Sequence, residues 1–295
     1  MKLILAVALW SSSFSIAAAH TQYTVDAGRG PVSVLVPDNY RSGTAVPLVL
    51  SLHGFGGTGD SYVQYWVKNK QVDAKGFIVV APTGRINSKG RSFWNATDAC
   101  CDKDKSGIDD ATYLRKLIET VEATYSIDPN SIHVTGYSNG GFMAHRMACE
   151  HGDKIASIAS VAGAAFSQKP SCTDKPVHIL HIHGTADEVI RYGGGGLKNY
   201  DSNTRVPHPG AVESVGFWAK SYDAAPVKTI QSPLDFSERT PGADTEILRF
   251  QRSSPSPVTV ELWSITGETH VPKLNQLFHE QSTDWMLSHR KADAN

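Results

Sequence analysis

The sequence has no charge excess of one sign, no internal repeat and few cysteines. Its 295 residues carry 28 lysines and arginines against 29 aspartates and glutamates. Because no strong field of one sign surrounds such a chain, we expect neither a nucleic acid nor an acidic membrane as a partner. No run of like charges and no low-complexity linker interrupts the chain, so we predict no separate polymer-binding module.

A sustained apolar run occurs at the N-terminus, but it is too short to span a bilayer. Lys2 supplies a positive charge, Leu3–Trp10 an apolar core, and Ala17–Ala19 a small-residue cleavage site. This three-part pattern is typical of an export signal. We expect residues 1–19 to be removed, and residues 20–295 to form one secreted or periplasmic domain. The alternative interpretation is a buried N-terminal helix.

The four cysteines are an even number, which favours disulfides in an exported chain. Cys149 lies at the end of a predicted helix and Cys172 just before a later strand. We therefore predict that Cys149 pairs with Cys172. Cys100 and Cys101 then form a vicinal bridge or remain thiols.

Buried apolar runs alternate with helical patterns along the chain. A predicted hairpin over 23–36 comes first. Strands are predicted at 47–52, 77–80, 132–137, 155–162, 177–182 and 258–265, and helices from Asp109 or Asp110, from Gly140, over 212–222 and from Leu274. The residues Asp128-Pro129-Asn130 are expected to stop the first of these helices. Alternation of this kind predicts an α/β protein with a mostly parallel central sheet and helices on both faces.

The stretch Gly136-Tyr137-Ser138-Asn139-Gly140 matches the G-x-S-x-G pattern. It stands between a predicted strand and a predicted helix, which is the context that a nucleophile elbow requires. In such an elbow the serine occupies a sharp turn above the sheet, and the flanking glycines prevent collisions with neighbouring backbone. We therefore predict Ser138 as a nucleophile. An ordinary Gly/Ser turn is the alternative.

Two further residues complete a catalytic arrangement with Ser138. Asp187 and His270 each follow a predicted strand, and the carboxyl ends of parallel strands meet at one edge of a sheet. The order Ser138, Asp187, His270 is that of the α/β-hydrolases. We predict His270 as general base and Asp187 as the carboxylate that orients it. Glu188 is the alternative to Asp187 as the orienting carboxylate. His133, His178 and His181 lie inside predicted strands, so we expect them to be buried side chains rather than the general base.

The Gly-rich segment His53–Gly57 follows another predicted strand end. Glycines in such a loop let backbone N–H groups approach a developing alkoxide. We predict the amides of Phe55 and Asn139 as the oxyanion hole.

Two sequence patterns raise the question of metals. His181 and His183 lie on one strand face, as a zinc pair would, but no carboxylate or cysteine with ligand spacing accompanies them. Asp102 and Asp104 imitate the start of an EF-hand loop, but Tyr113 stands where such a loop needs glutamate. We expect no metal and no cofactor.

With these residues in hand, the chain resembles the secreted polyhydroxybutyrate depolymerase and feruloyl esterase-like proteins of carbohydrate esterase family 1, which have the α/β-hydrolase fold. The resemblance rests on these motifs: the segment 52–57, Trp94 with Cys100-Cys101 and Asp109-Asp110, the elbow, 183–187 with 192–194, and 267–272. It implies the triad Ser138, Asp187 and His270. The chain departs from the family at Val271, where a tryptophan is common, and at Phe55, where a cysteine is common.

The sequence therefore predicts a secreted serine esterase that acts through an acyl-enzyme. The expected substrates are feruloyl or other hydroxycinnamoyl esters of plant polysaccharide, or short hydroxyalkanoate polyesters. Trp94 and Tyr192, with Phe55, are predicted to line the substrate cleft as an aromatic wall, and core packing is the alternative for each. The competing functions are an acetylxylan-type esterase, a peptidase of the same fold and a non-catalytic binding protein.

Overall fold

A large sheet runs through the computed structural model, which describes residues 22–67, 70–198, 205–227 and 234–291. The predicted export signal, residues 1–19, lies outside the described residues. The strands of the described ranges are β1 (Gln22–Asp26), β2 (Pro31–Leu35), β3 (Val46–Leu52), β4 (Ile78–Ala81), β5 (Arg85–Ile86), β6 (Ser92–Phe93), β7 (Ile127–Tyr137), β8 (Ser157–Val161), β9 (His178–Gly184), β10 (Gly195–Lys198), β11 (Arg205–His208), β12 (Ala225–Val227), β13 (Thr245–Arg252) and β14 (Val258–Ile265).

The strand order in the large sheet is β1-β2-β4-β3-β7-β8-β9-β14-β13-β12. Neighbouring strands from β4 through β14 are parallel, whereas the pairs at both edges are antiparallel. Two short hairpins, β5-β6 and β10-β11, stand apart from this sheet in the described residues. This topology confirms the predicted α/β class with a mostly parallel central sheet.

The helices cover both faces of the sheet. They are α1 (Gly59–Tyr62), which continues into a π-helical turn over Val63–Val67, then α2 (Lys70–Lys75), α3 (Asp110–Thr124), α4 (Asn139–Glu150), α5 (Ala211–Ser221) and α6 (Gln276–Ser288). Residues of α3, α4 and α5 share one hydrophobic cluster with Leu48 and Leu50 of β3, whereas residues of α1, α2 and α6 share a second cluster with Val49. Because successive strand residues point to opposite faces, these are two cores on either side of one sheet. None of the helices in the described ranges has the length and apolarity that a bilayer crossing needs.

The structure corrects the predicted boundary between α3 and β7. The helix ends at Thr124, and β7 begins at Ile127, so Asp128-Pro129-Asn130 belong to the strand rather than to the helix stop. The pairing of β7 with β3 shifts register between Ile127 and Ile132. This irregularity accommodates Pro129, which has no N–H to donate to a sheet ladder.

The carboxyl ends of four parallel strands point to one edge of the sheet. The loop His53–Gly57 follows β3, Ser138 follows β7, Asp187 follows the end of β9, and His270 follows β14. The fold therefore brings together four segments that are far apart in the sequence.

Candidate active site

Ser138 occupies the tight turn between β7 and α4. Its backbone has φ of 52° and ψ of −117°, which lies in the left-handed half of conformational space. A Cβ on Gly136 would collide with the carbonyl oxygen of Gly140, and a Cβ on Gly140 would collide with that of Leu52. Both positions of the elbow thus require glycine, since the backbones of strand, helix and neighbouring loop meet here.

The structure places His270 within hydrogen-bond distance of both of the other predicted site residues, Ser138 and Asp187. His270 Nε2 lies 3.0 Å from Ser138 Oγ, and His270 Nδ1 lies 2.8 Å from Asp187 Oδ2. The rival acid, Glu188, is exposed to solvent. The imidazole of His270 can therefore bridge a hydroxyl on one side and a carboxylate on the other.

Backbone N–H groups and two imidazoles surround the carboxylate of Asp187. Its Oδ1 accepts from the N–H groups of Val189 and Ile190 at 2.8 and 2.9 Å, and its Oδ2 lies 2.8 Å from His270 Nδ1 and 3.3 Å from His183 Nε2. Burial by itself would raise the pKa of Asp187, but the hydrogen bonds from His183 and then His270 hold this pKa well below its usual value. Asp187 is therefore a carboxylate at neutral pH.

The loop that carries His270 is anchored by a buried carboxylate. Glu268 is fully buried and accepts hydrogen bonds from the Ser237 hydroxyl, from Arg239 Nη1 at 2.9 Å and from the Lys273 N–H at 3.1 Å. Hydrogen bonds to a buried charge are among the strong ones in proteins. The anchor restrains the loop on both sides of His270.

The predicted oxyanion donors lie in the two loops that follow β3 and β7. Asn139 is the first residue of α4, and the first N–H groups of a helix have no intrahelical acceptor. In the other loop, the N–H of Gly56 donates to Ser92 O at 2.8 Å and that of Gly57 to Gly54 O at 3.0 Å, which fixes the backbone around Phe55. The assignment of the Phe55 and Asn139 amides as oxyanion donors stays a prediction.

Trp94 has a different place from the one that we predicted. Its side chain is fully buried, so the prediction that it lines a substrate cleft is wrong. The indole N–H donates to His53 O at 3.1 Å. The backbone N–H of Trp94 donates to Asn139 Oδ1, and its carbonyl accepts from Asn139 Nδ2, each at 2.8 Å. Trp94 therefore joins the loop after β3 to the elbow.

The other two predicted cleft aromatics are partly accessible. The Tyr192 hydroxyl is hydrogen-bonded to Ser264 Oγ at 2.7 Å, and its ring meets the His183 ring edge-on at 5.8 Å. Tyr192 thus packs behind the carboxylate side of the site, and its predicted contact with substrate stays a prediction. The Phe55 ring is half-buried, and Lys103 Nζ lies 4.8 Å from its centroid.

The residues that imitate metal ligands have other partners. His181 and His183 are hydrogen-bonded to each other at 3.1 Å. Asp102 accepts from the N–H groups of Ser106 and Gly107, and Asp104 accepts from Ser88. Within the described ranges, no group of three or more His, Cys, Asp or Glu side chains could hold a metal ion.

The four cysteines form two bridges. Cys149 is bonded to Cys172, which ties the end of α4 to the segment before β9, and Cys100 is bonded to its neighbour Cys101. The side-chain nitrogen of Asn139 lies 3.6 Å from Cys100 Sγ. The vicinal bridge therefore adjoins the elbow.

Sequence reasoning missed three residues of this site. Tyr137, Glu268 and the donor role of His183 were not predicted, although each residue flanks a predicted site residue. Tyr137 directly precedes Ser138, Glu268 lies two residues before His270, and His183 lies four before Asp187. A search of the polar residues next to each motif could have found them.

A family model for phospholipases and carboxylesterases matches residues 41–200, which is more than half of the chain. The chain belongs to the phospholipase/carboxylesterase family. The matched range includes the elbow and Asp187, and His270 lies beyond it. Membership in the carboxylesterase family agrees with the topology described above.

Two similar proteins carry esterase names. A bifunctional acetylxylan esterase/xylanase of Neocallimastix patriciarum is 32% identical over 187 residues, which cover 61% of this chain and 25% of that protein. Feruloyl esterase B of Piromyces equi is 28% identical over 196 residues, which cover 64% and 35%. The match thus spans about a quarter and about a third of these two relatives, whose names support the feruloyl esterase-like resemblance.

A solved structure shares the fold. The acetyl xylan esterase from Aspergillus awamori superposes with a TM-score of 0.60 at 16% sequence identity, over 90% of this chain and 98% of that one. Together with the carboxylesterase family match, this confirms the predicted α/β-hydrolase fold.

Proposed function

We propose that this chain hydrolyses carboxylic esters, with Ser138 as nucleophile, His270 as general base and acid, and Asp187 as its orienting carboxylate. The observation that carries the proposal is the continuous line of hydrogen bonds from Ser138 Oγ through both ring nitrogens of His270 to Asp187 Oδ2. A serine hydroxyl is a weak nucleophile that needs an adjacent base, and the base needs a carboxylate that selects its tautomer. Membership in the carboxylesterase family supports the same reaction class.

The first half of the reaction forms an acyl-enzyme. Ser138 Oγ attacks the ester carbonyl carbon while its proton passes to His270 Nε2. The N–H groups of Phe55 and Asn139 stabilise the oxygen anion that develops. The imidazolium of His270, stabilised by ionised Asp187, then gives this proton to the alcohol oxygen as the carbon–oxygen bond breaks.

The second half returns the enzyme to its starting state. His270 Nε2 takes a proton from water, and the resulting hydroxide attacks the acyl carbon. The bond from that carbon to Ser138 Oγ breaks, Ser138 Oγ regains a proton from His270, and the carboxylic acid leaves.

The substrate class that we propose is an ester carried by plant cell-wall polysaccharide, with a feruloyl or other hydroxycinnamoyl acyl group. The names of the relatives, feruloyl esterase and acetylxylan esterase, support esters of this polymer. The half-buried ring of Phe55, next to a proposed oxyanion donor, favours an aromatic acyl group. Acetyl esters of the same polysaccharide and short hydroxyalkanoate oligomers are the alternatives. Export through residues 1–19, and one catalytic domain over residues 20–295, belong to the proposal because such polymers lie outside the cell.

The test of the mechanism is labelling with a fluorophosphonate, followed by peptide mass mapping. We expect one adduct, on Ser138, and none in the Ser138→Ala variant. The matched control is Ser160→Ala, which removes a buried serine hydroxyl bonded to the Gly141 carbonyl at 3.1 Å, and should still be labelled. Unchanged labelling of Ser138→Ala would contradict the assignment, and an unlabelled wild type would favour a non-catalytic binding protein.

The test of the substrate class compares turnover of methyl ferulate, acetylated xylan and a hydroxybutyrate trimer by the wild-type protein. We expect the highest kcat/KM with methyl ferulate. A preference for acetylated xylan or for the trimer would leave the proposed mechanism standing but contradict the proposed hydroxycinnamoyl specificity.

A further inference from the structure

A line of three buried imidazoles leads from the interior of the protein to Asp187. The Trp218 indole Nε1 lies 2.9 Å from His145 Nδ1, and His145 Nε2 lies 3.2 Å from His181 Nδ1. His181 Nε2 lies 3.1 Å from His183 Nδ1, and His183 Nε2 lies 3.3 Å from Asp187 Oδ2. Helix α5 supplies the indole, α4 the first imidazole, and β9 the other two.

The hydrogen bond at the inner end of this line can run in only one direction. An indole nitrogen is a donor and has no lone pair to offer, so His145 Nδ1 must be the acceptor. A neutral imidazole that accepts at Nδ1 carries its proton on Nε2, and His145 therefore donates to His181 Nδ1. The same reasoning makes His181 Nε2 the donor to His183 Nδ1.

The outer end of the line requires the same direction independently. His183 Nε2 lies 2.7 Å from the carbonyl oxygen of Ile190 and faces Asp187 Oδ2, and both of these oxygens only accept. His183 Nε2 must therefore carry a hydrogen, and this one hydrogen is shared between Ile190 O and Asp187 Oδ2. The Trp218 indole at one end can only donate, and the oxygens of Ile190 and Asp187 at the other end can only accept. Each of the three imidazoles between them therefore accepts at Nδ1 and donates from Nε2, which is what a neutral imidazole can do.

The surroundings keep His145 and His181 neutral. His145, His181 and His183 are each at most 1% exposed, and Trp218 is fully buried. Burial lowers the pKa of His145 to about 3, and burial followed by the neighbouring imidazoles lowers the pKa of His181 well below its ordinary value. A second proton on any of the three rings would place two donors face to face.

We propose that Trp218, His145 and His181 fix the tautomer of His183, and that His183 is a positioning residue that holds the carboxylate of Asp187 for His270. This inference rests on the proposed function for its effect on catalysis, whereas the hydrogen-bond direction stands on geometry alone. Asp187 Oδ2 is shared by two imidazoles, of which His270 passes protons and His183 does not. The line from Trp218 to Asp187 is called the histidine relay below.

The direct test is a two-bond ¹H–¹⁵N correlation spectrum of the wild-type protein labelled with ¹⁵N-histidine, recorded at pH 7. We expect His145, His181 and His183 all to be neutral with the proton on Nε2. A proton on Nδ1 of any of the three, or a doubly protonated ring, would overturn the relay. This measurement needs no variant, so it cannot be lost to misfolding.

The kinetic test compares His183→Leu with His183→Gln. Glutamine can accept from His181 through its amide oxygen and donate to Asp187 through its amide nitrogen, whereas leucine can do neither. We expect kcat to fall about ten- to a hundredfold with leucine, since a hydrogen bond to a charged group is lost, and to recover most of that loss with glutamine. KM should stay near the wild-type value in both, because the buried His183 does not reach the substrate. A folded leucine variant with wild-type kcat, or no recovery with glutamine, would overturn the positioning role.

The far end of the relay is tested with Trp218→Phe. This variant keeps an aromatic ring but removes the donor to His145, and we expect the His145 spectrum to show a mixture of tautomers and kcat to fall about two- to tenfold. The matched control is Trp66→Phe, since Trp66 is also fully buried but its indole nitrogen has no hydrogen-bond partner in the described chain. Equal effects of the two variants would count against the relay. A wild-type protein that hydrolyses no ester would count against the proposed function alone, and its spectrum would still decide the tautomers.

Discussion

Tyr137, which directly precedes Ser138, donates its hydroxyl hydrogen to the carbonyl oxygen of His270 at 2.8 Å. The two rings also lie close, with centroids 5.3 Å apart. Burial, more than the nearby Tyr65 and Asp187, raises the pKa of Tyr137, so the phenol keeps its proton and remains a donor. The residue beside the proposed nucleophile therefore restrains the backbone of the proposed base.

Loss of this hydroxyl should slow the reaction with little effect on binding. In Tyr137→Phe the ring remains and one hydrogen bond disappears, so we expect kcat to fall about two- to tenfold and KM to change little. The measurement is steady-state kinetics on an ester that the wild type hydrolyses. The control is Tyr62→Phe, whose buried hydroxyl is bonded to Thr135 Oγ1 at 3.3 Å and not to the His270 backbone. An unchanged kcat in Tyr137→Phe would show that the loop holds His270 without this bond.

The buried carboxylate of Glu268 should depend on its guanidinium partner. Arg239→Met leaves the fully buried Glu268 with the Ser237 hydroxyl and the Lys273 N–H as donors. Because the Arg239 side chain is itself 36% exposed, we expect the free energy of unfolding in urea to drop by about 2 kcal/mol. The control is Arg115→Met, whose partners Glu119 and Asp153 are 47% and 46% exposed, and which should lose at most about 1 kcal/mol. Similar losses in the two variants would mean that burial of Glu268 contributes nothing.

The bridge between Cys149 and Cys172 should stabilise the protein through the unfolded chain. It closes a loop with a sequence separation of 23, for which the chain-entropy relation gives about 3 kcal/mol. We expect the Cys149→Ala, Cys172→Ala variant to lose that amount in urea unfolding. In the matched Cys100→Ala, Cys101→Ala variant the bridge joins adjacent residues, which constrains the unfolded chain little. Equal losses would contradict the loop-closure account.

Buried histidines should make the fold sensitive to acid. His133 and His145 are fully buried, and burial lowers the pKa of each to about 3. In the unfolded chain both take up a proton below about pH 6.5, so the unfolded state binds more protons between pH 6.5 and 3, and stability is lost as the pH falls through this window.

The expected loss for the pair is about 4 kcal/mol at pH 5 relative to pH 7.5, measured as the free energy of unfolding in urea. His133→Gln removes one titrating ring but can keep hydrogen bonds to Ser131 and Ser157, so its loss should be about 2 kcal/mol smaller. Equal stability of the wild type at the two pH values would contradict the prediction.

Much of the sheet and of the site could be predicted because both depend on local patterns. The apolar runs of β3, β7, β9 and β14 end where Gly-rich or polar segments begin, and parallel strands bring those ends to one edge. The strand β13, next to the edge strand β12, was missed because most of its residues are partly exposed, so its apolar pattern is weak. The burial of Trp94 could not be predicted either, since the packing of two distant loops, and no local pattern, decides it.

Trp94 links the two loops that carry the proposed oxyanion donors. Its backbone is held by the side chain of Asn139 and its indole by the carbonyl of His53, so the two amides proposed to receive the oxyanion belong to a single braced unit. Such a unit is already assembled when an ester arrives, and little binding energy goes into arranging it. Discrimination between acyl groups would then fall to the accessible side chains near the proposed oxyanion donors, of which Phe55 is the first to exchange in redesigning the proposed ester preference.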